Sequence, residues 1–268
     1  MALSQLTGKN NRLFKTIRLV SSGSRQAPDG LVLAEGIRVL EEAQRSGCSF
    51  EAVVFSEHFG SEPRERRLLD EWRSKRVRLY RTQAKLLKSV SSVQTPQGVL
   101  ALVRVPHLTL DKIELPENPL ILCAHGIQDP GNLGTLVRTA AAASACLICT
   151  IKGTVSARNP KAVRSSAGVF FRLPVVEHVE PSDFRKFCDR RSIVMYRTDP
   201  RVGLPYTEAD LRTSCAIVLG SEGGGIAESE FAGLGAVRIP MTDGVESLNV
   251  SVAGGLVLFE AFNQRRNS

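Results

Sequence analysis

The chain has 268 residues, 43% of them hydrophobic, which suits two packed domains and argues against disorder. No apolar leader opens it and no stretch approaches the roughly 18 uninterrupted apolar residues of a membrane span, so a cytoplasmic address is the expectation. The net charge of +8 is uneven: residues 1–107 carry 18 Lys/Arg against 10 Asp/Glu, and residues 108–268 carry 17 of each, which separates a polyanion-gripping part from a neutral one.

Lys9, Arg12, Lys15 and Arg18 recur every third residue and form one cationic stripe on a helix. No acid precedes Asp29, which points the stripe towards phosphates; the plainer alternative is a solvated helix face. Residues 31–34 read as a strand, followed by Glu35-Gly36 and a helix from Ile37. Strands at 52–56, 77–80 and 99–105 alternate with a charged helix at 64–74 and a short one at 83–89. Residues 1–107 thus read as a small basic α/β domain, and the proline-bearing stretch 108–119 as a linker.

From Leu120 the pattern restarts. A strand at 120–124 leads through a loop, Gly131–Gly134, into an alanine-rich helix at 135–144. A strand at 146–151, a helix opening at Asn159-Pro160, strands at 193–197, 216–219 and 237–239, and a final helix at 248–265 complete a second domain, 120–268. Alternating strands and helices predict a mainly parallel sheet, with ligands beyond the carboxyl ends of its strands.

Three loops stand out, each just after a strand. They are Asp129-Pro-Gly-Asn-Leu-Gly-Thr-Leu-Val-Arg138, Val218-Leu-Gly-Ser-Glu-Gly-Gly-Gly225 and Ile239-Pro-Met-Thr-Asp-Gly-Val-Glu-Ser-Leu-Asn-Val-Ser-Val-Ala253. The glycines at 220 and 223–225 allow close backbone approach to a ligand. Glu246, Ser247 and Asn249 precede a helix start, where exposed N–H groups suit a polar ligand; Ser247 or Asn249 could equally be a simple cap. Arg138 lies within an apolar helix and calls for an anion or for a salt bridge with Asp129 or Glu222. No phosphate-loop or dinucleotide fingerprint is present. Cys146 and Cys149 form a lone C-x-x-C on a strand, and His58, His107, His125 and His178 show no ligand spacing, so no metal is expected. The six cysteines read as reduced, mostly buried thiols.

Together and in this order, D-P-G-N-L-G-x-x-x-R, G-S-E-G-x-G and I-P-M…E-S-L-N-V-S-V-A resemble the three signature motifs of the SpoU/TrmH family of RNA ribose 2′-O-methyltransferases, over about 150 residues from Leu120 to Arg266. Lys161-Ala-Val-Arg164-Ser-Ser-Ala-Gly168 and Phe171-Arg-Leu-Pro174 fall inside that match. The basic front part resembles, more weakly, the small ribosomal-protein-like RNA-binding domain that many members carry. Ala140–Ser144 departs from the family, where many relatives have an acid and a glycine.

The resemblance implies an α/β fold whose C-terminal segment threads into a deep trefoil knot, a homodimer with the active site near the subunit interface, and S-adenosylmethionine as cofactor. It places that cofactor against the backbone around Thr198, Gly220, Ile239 and Leu248. It puts Arg138 at the target hydroxyl, with Asn132 and Glu222 holding the arginine and the ribose, and Ser247 and Asn249 shaping the pocket. A guanidinium with a pKa above about 12 is better suited to stabilise an oxyanion than to act as base. Lys9, Arg12, Lys15, Arg18 and Arg164 are the candidate RNA contacts. The implied substrate is ribosomal RNA, with transfer RNA as the alternative. Two other readings remain: a non-catalytic RNA-binding protein on the same scaffold, and a base methyltransferase with the related knot. The set Asn132, Arg138, Glu222, Ser247, Asn249 argues against the first, and the Asn132–Arg138 pair against the second.

Overall fold

The computed structural model describes residues 4–8, 10–221, 231 and 233–267. The chain divides into two compact units: a front unit of residues 1–107 with 158–172, and a rear unit of residues 108–157 with 173–268. Residues 158–172, which the sequence pattern assigns to the rear domain, therefore pack with the front one. They bring four cations and no acid, so the front unit carries 22 Lys/Arg against 10 Asp/Glu and the rear 13 against 17. The charge asymmetry is steeper in space than along the chain.

In the front unit the strands β1 (Ser4–Leu6), β2 (Leu31–Glu35), β3 (Ser49–Ser56), β4 (Leu79–Thr82) and β5 (Val99–Arg104) form a sheet ordered β1-β4-β3-β5-β2. Only β5 runs antiparallel to its neighbours, so β1 to β4 all end on the same edge. Helix α1 (Arg12–Ser21) buries Phe14, Ile17 and Val20 against one face, together with Leu87 of α4 (Ala84–Lys88). On the other face α2 (Ile37–Arg45) buries Val39, Leu40 and Ala43, and α3 (Pro63–Ser74) buries Leu68, Leu69 and Trp72. Strand β4 starts two residues later than its apolar pattern suggests. The turn that ends α3 consumes the start, with Arg76 at φ 56° and the Val77 N–H donating to the Trp72 carbonyl.

In the rear unit β6 (Leu120–Ala124) is followed by α5 (Pro130–Ala142) and β7 (Leu147–Ile151). After α6 (Pro160–Ser165), which belongs to the front unit, come β8 (Val175–Val179), α7 (Pro181–Asp189), β9 (Val194–Thr198), β10 (Leu204–Pro205), β11 (Cys215–Leu219), β12 (Gly235–Arg238) and α8 (Val250–Arg266). Every pairing in the sheet β10-β12-β9-β11-β6-β7-β8 is parallel. Residues of alternating parity feed two cores, one around Phe184 and Phe187 of α7, the other around α5 and α8.

Two expectations need correcting here. The first motif is not a loop before a helix: α5 begins at Pro130, because Asp129 caps it by accepting from the Asn132 N–H at 2.9 Å and proline suits the first turn. Residues 108–119 are not a free linker either. Ile113 is buried, and Leu108, Leu110 and Leu115 pack on the α7 side of the sheet, which is where their apolar surface leaves water. Helix α8 passes so close to the sheet that a Cβ on Gly254 would lie 2.5 Å from both Leu136 and Leu219. Among the described residues no helix is long and apolar enough to cross a membrane, and no group of three or more His, Cys, Asp or Glu could hold a metal ion.

Candidate functional site

The neighbours β12, β9 and β11 run parallel, so their carboxyl ends lie side by side. The loops leaving those ends enclose a pocket of about 480 Å³. Thr198, Gly220, Ile239 and Leu248 all line it, as do Ser247 and the first turn of α8 through Val250 and Ala253. Segments more than 50 residues apart are thus gathered by the sheet order, at the end of the strands where α/β proteins bind ligands.

Asp199 shapes the wall of this pocket and was not singled out by its pattern. One carboxylate oxygen accepts the N–H groups of Arg201 and Val202 at 2.9 and 3.0 Å, and the other pairs with Arg197 at 2.6 Å. Burial pushes the Asp199 carboxyl up, but those two N–H groups and the guanidinium outweigh it and hold the group below its usual value. The Thr198-Asp-Pro200 sequence was its available signal, an Asx turn ahead of a proline at a strand end. The same loop returns through Gly203, at φ 111°, where any Cβ would sit 2.3 Å from the Ala236 carbonyl oxygen.

The first and third motifs meet. Asn249 caps α8, accepting from the Ser251 N–H at 3.0 Å and the Ser251 hydroxyl at 2.6 Å, and donates from Nδ2 to Asn132 Oδ1 at 3.2 Å. Capping and site geometry are therefore one arrangement, and Ser251 joins the set by fixing the Asn249 amide. Arg138 is not brought to Asn132: six residues along α5 turn it to another face of that helix. It is exposed, and neither Asp129 nor any other described residue forms a salt bridge with it. Glu222 and Gly223–Gly225 lie outside the described residues.

On α1, Arg12, Lys15 and Arg18 are exposed along one face opposite the buried Phe14 and Ile17; Lys9 lies outside the described residues. Arg164 is half-buried and donates from Nη1 to the Ser92 hydroxyl at 2.8 Å, so part of its donor set serves the fold of the front unit. Ser91 and Ser92 in turn hold Glu35, a buried carboxylate at the end of β2.

Residues 119–259 match the model of the SpoU rRNA Methylase family, and residues 11–101 that of the MRM3-like substrate binding domain. The uncharacterized tRNA/rRNA methyltransferase of Synechocystis is 31% identical over 98% of this chain and 95% of its own length. The 23S rRNA (guanosine(2553)-2'-O)-methyltransferase of Bacillus subtilis is 28% identical over 96% of this chain and 98% of its own, and the human mitochondrial rRNA methyltransferase 3 is 28% identical over 96% and 73%. Among solved structures, an RNA 2'-O ribose methyltransferase superposes with a TM-score of 0.83 at 31% identity, covering 98% of this chain and 99% of that one. The SpoU methyltransferase AviRb of Streptomyces viridochromogenes, in complex with the cofactor AdoMet, gives 0.85 at 26% identity over 96% and 100%. With the described parts of the second and third motifs lining one pocket, the first joined to the third through Asn132 and Asn249, and a family model spanning more than half of its length, the chain belongs to the SpoU rRNA methylase family.

Proposed function

We propose that this protein transfers a methyl group from S-adenosylmethionine to a ribose 2′-hydroxyl of structured RNA, and that the RNA is ribosomal. The observation carrying this reading is the single pocket that gathers Thr198, Gly220, Ile239 and Leu248 at the strand ends, one helix turn from the Asn132–Asn249 pair. Its lining fits the cofactor: Val237, Ile239, Met241 and Leu248 supply apolar surface for a nucleoside, while Thr198, Ser247 and the backbone at Gly220 supply polar groups. When bound, S-adenosylmethionine supplies an electrophilic methyl group on a sulfonium.

The chain's own residues then have three tasks. Thr198, Gly220, Ile239 and Leu248 bind and orient. Asn249, locked by Ser251, presents a fixed amide with Asn132 beside it, positioning the ribose. Arg138 binds the target phosphate and stabilises the developing oxyanion, with Glu222 assisting. The homodimer belongs to this reading, supported by Val252, Leu256 and Phe259, which are 52%, 39% and 43% exposed on one face of α8. An exposed apolar helix face beside α5 is what a second copy would cover, and that would give Arg138 a site to serve. The trefoil knot and the cytoplasmic address also belong to it; the human relative is named mitochondrial.

Tritium transfer from labelled S-adenosylmethionine to ribosomal and transfer RNA, with mapping of 2′-O-methyl sites in cells with and without the gene, tests the reading. Ribosomal RNA is the expected acceptor. Arg138→Ala should lower turnover by about 10²-fold or more while calorimetry shows cofactor binding largely intact. Unchanged turnover would sink the role given to Arg138.

A further inference from the structure

At the edge where β1, β3 and β4 end, the front unit carries two adjoining clefts of about 710 and 460 Å³, which share Glu57 and Arg81. The larger has an apolar floor: Phe55 and Phe59 are buried, with ring centroids 6.1 Å apart. Its walls carry Arg66 and Arg73 from α3 and Arg81 from β4.

Each guanidinium is fastened to the wall. Arg66 Nη1 donates to the Ser61 carbonyl at 2.7 Å, Arg73 Nη1 to Asp70 at 2.9 Å, and Arg81 Nη2 to the Glu57 carbonyl at 2.9 Å. Among the described residues these are their only hydrogen bonds, and a guanidinium has five N–H donors. Most of the donor set is therefore unspent. The Glu57 side chain shows the opposite lack: its Oε2 is buried and makes no hydrogen bond among the described residues. A buried acceptor left without a donor is costly, and a slight turn of the carboxylate would offer it to a ligand's N–H.

Guanidiniums around an apolar floor, with Asp70 paired to Arg73 and the Glu57 carboxylate left as an acceptor, match a nucleotide whose base has left the helix. Phosphate oxygens take the unused arginine donors, the base plane lies against a guanidinium or the floor, and an N–H of the base edge meets Glu57. A paired A-form duplex cannot do this, because its base planes are stacked and its Watson–Crick edges are taken by the partner strand. We propose that this trough is a subsite for an unpaired nucleotide of the substrate RNA. The α1 stripe, by contrast, grips phosphates whatever the pairing. This inference rests on the reading that the protein binds RNA.

The test is fluorescence anisotropy with two labelled probes at one salt concentration: an RNA hairpin with an open loop, and a blunt duplex of the same stem. Wild-type protein is expected to prefer the hairpin. The variant R66A/R73A/R81A should lose about tenfold in hairpin affinity and keep its duplex affinity. Glu57→Gln, which leaves every guanidinium in place, should lose about fivefold on the hairpin alone. R12E/K15E/R18E should weaken both probes and flatten their salt dependence. These arginines are exposed, and an unchanged melting curve shows that the variants fold. Equal losses on both probes, or no loss on either, overturn the subsite. If wild-type protein binds neither probe while still binding S-adenosylmethionine, the RNA reading itself fails.

Discussion

The two sheets of this protein end differently. At the strand ends of the rear unit the described loops form a pocket in which Asp199, Arg201 and Glu246 sit among neutral polar and apolar groups, so that neither sign of charge dominates. At those of the front unit the larger cleft carries three arginines, Arg66, Arg73 and Arg81, against the two carboxylates of Glu57 and Asp70. The rear arrangement depends on a parallel sheet with α8 pressed on it through Gly254, so packing holds the site together. The front arrangement depends on cations displayed from α3 and β4, whose other faces are buried. A small ligand needs enclosure; a polyanion needs donors it can reach from outside.

The largest effect that would sharpen this contrast is expected at Gly254. Gly254→Val puts a branched side chain where even a Cβ is 2.5 Å from Leu136 and Leu219. A loss of about 3 kcal/mol or more in stability follows from overpacking, measured as a shift of the denaturant midpoint, together with loss of cofactor binding. If the variant melted like wild type, close packing would not be what holds the rear pocket. A smaller effect is expected for Asp199→Ala, which frees the N–H groups of Arg201 and Val202 at the pocket wall. Cofactor Kd should rise by about five- to tenfold, as the loss of one or two hydrogen bonds predicts, with RNA affinity unchanged; calorimetry and anisotropy check the two halves.

The smallest effect concerns pH. Burial pushes the Cys188 thiol up to about 12, and burial also raises the Cys123 thiol. A thiol raised by folding adds stability that is present below its unfolded value near 9 and is lost as pH rises towards 12. Stability should therefore fall from pH 9 upwards, and less so in Cys188→Ala. At pH 8 native alkylation read by peptide mass spectrometry should spare Cys123 and Cys188 and reach the half-buried Cys48 and Cys146 first. Equal reactivity would mean that the rear core opens as readily as the front surface.

Much of the fold was legible because its signals are local. Apolar runs marked the buried parallel strands β6, β7 and β11, and the three-residue cation spacing marked the outer face of α1. Strand β8 and helix α7 escaped, since Val-Val-Glu-His-Val is short and its strand lies at the sheet edge. The three motif loops stood out by order and composition, whereas Thr198, Gly220, Ile239 and Leu248 were named only through the family resemblance those motifs carry.

The remainder depended on contacts between distant parts of the chain. Asn132 and Asn249 are 117 residues apart, and only the placing of α5 beside α8 joins them. The transfer of residues 158–172 to the front unit, the burial of Ile113, and the meeting of Glu57 with three arginines are likewise decided by which surfaces bury one another. Periodicity reports which face of an element leaves water, but not which other element covers it. The sequence by itself therefore determined the chemistry available at each loop and the sign of each unit's charge. Only the tertiary structure decided which of those groups meet.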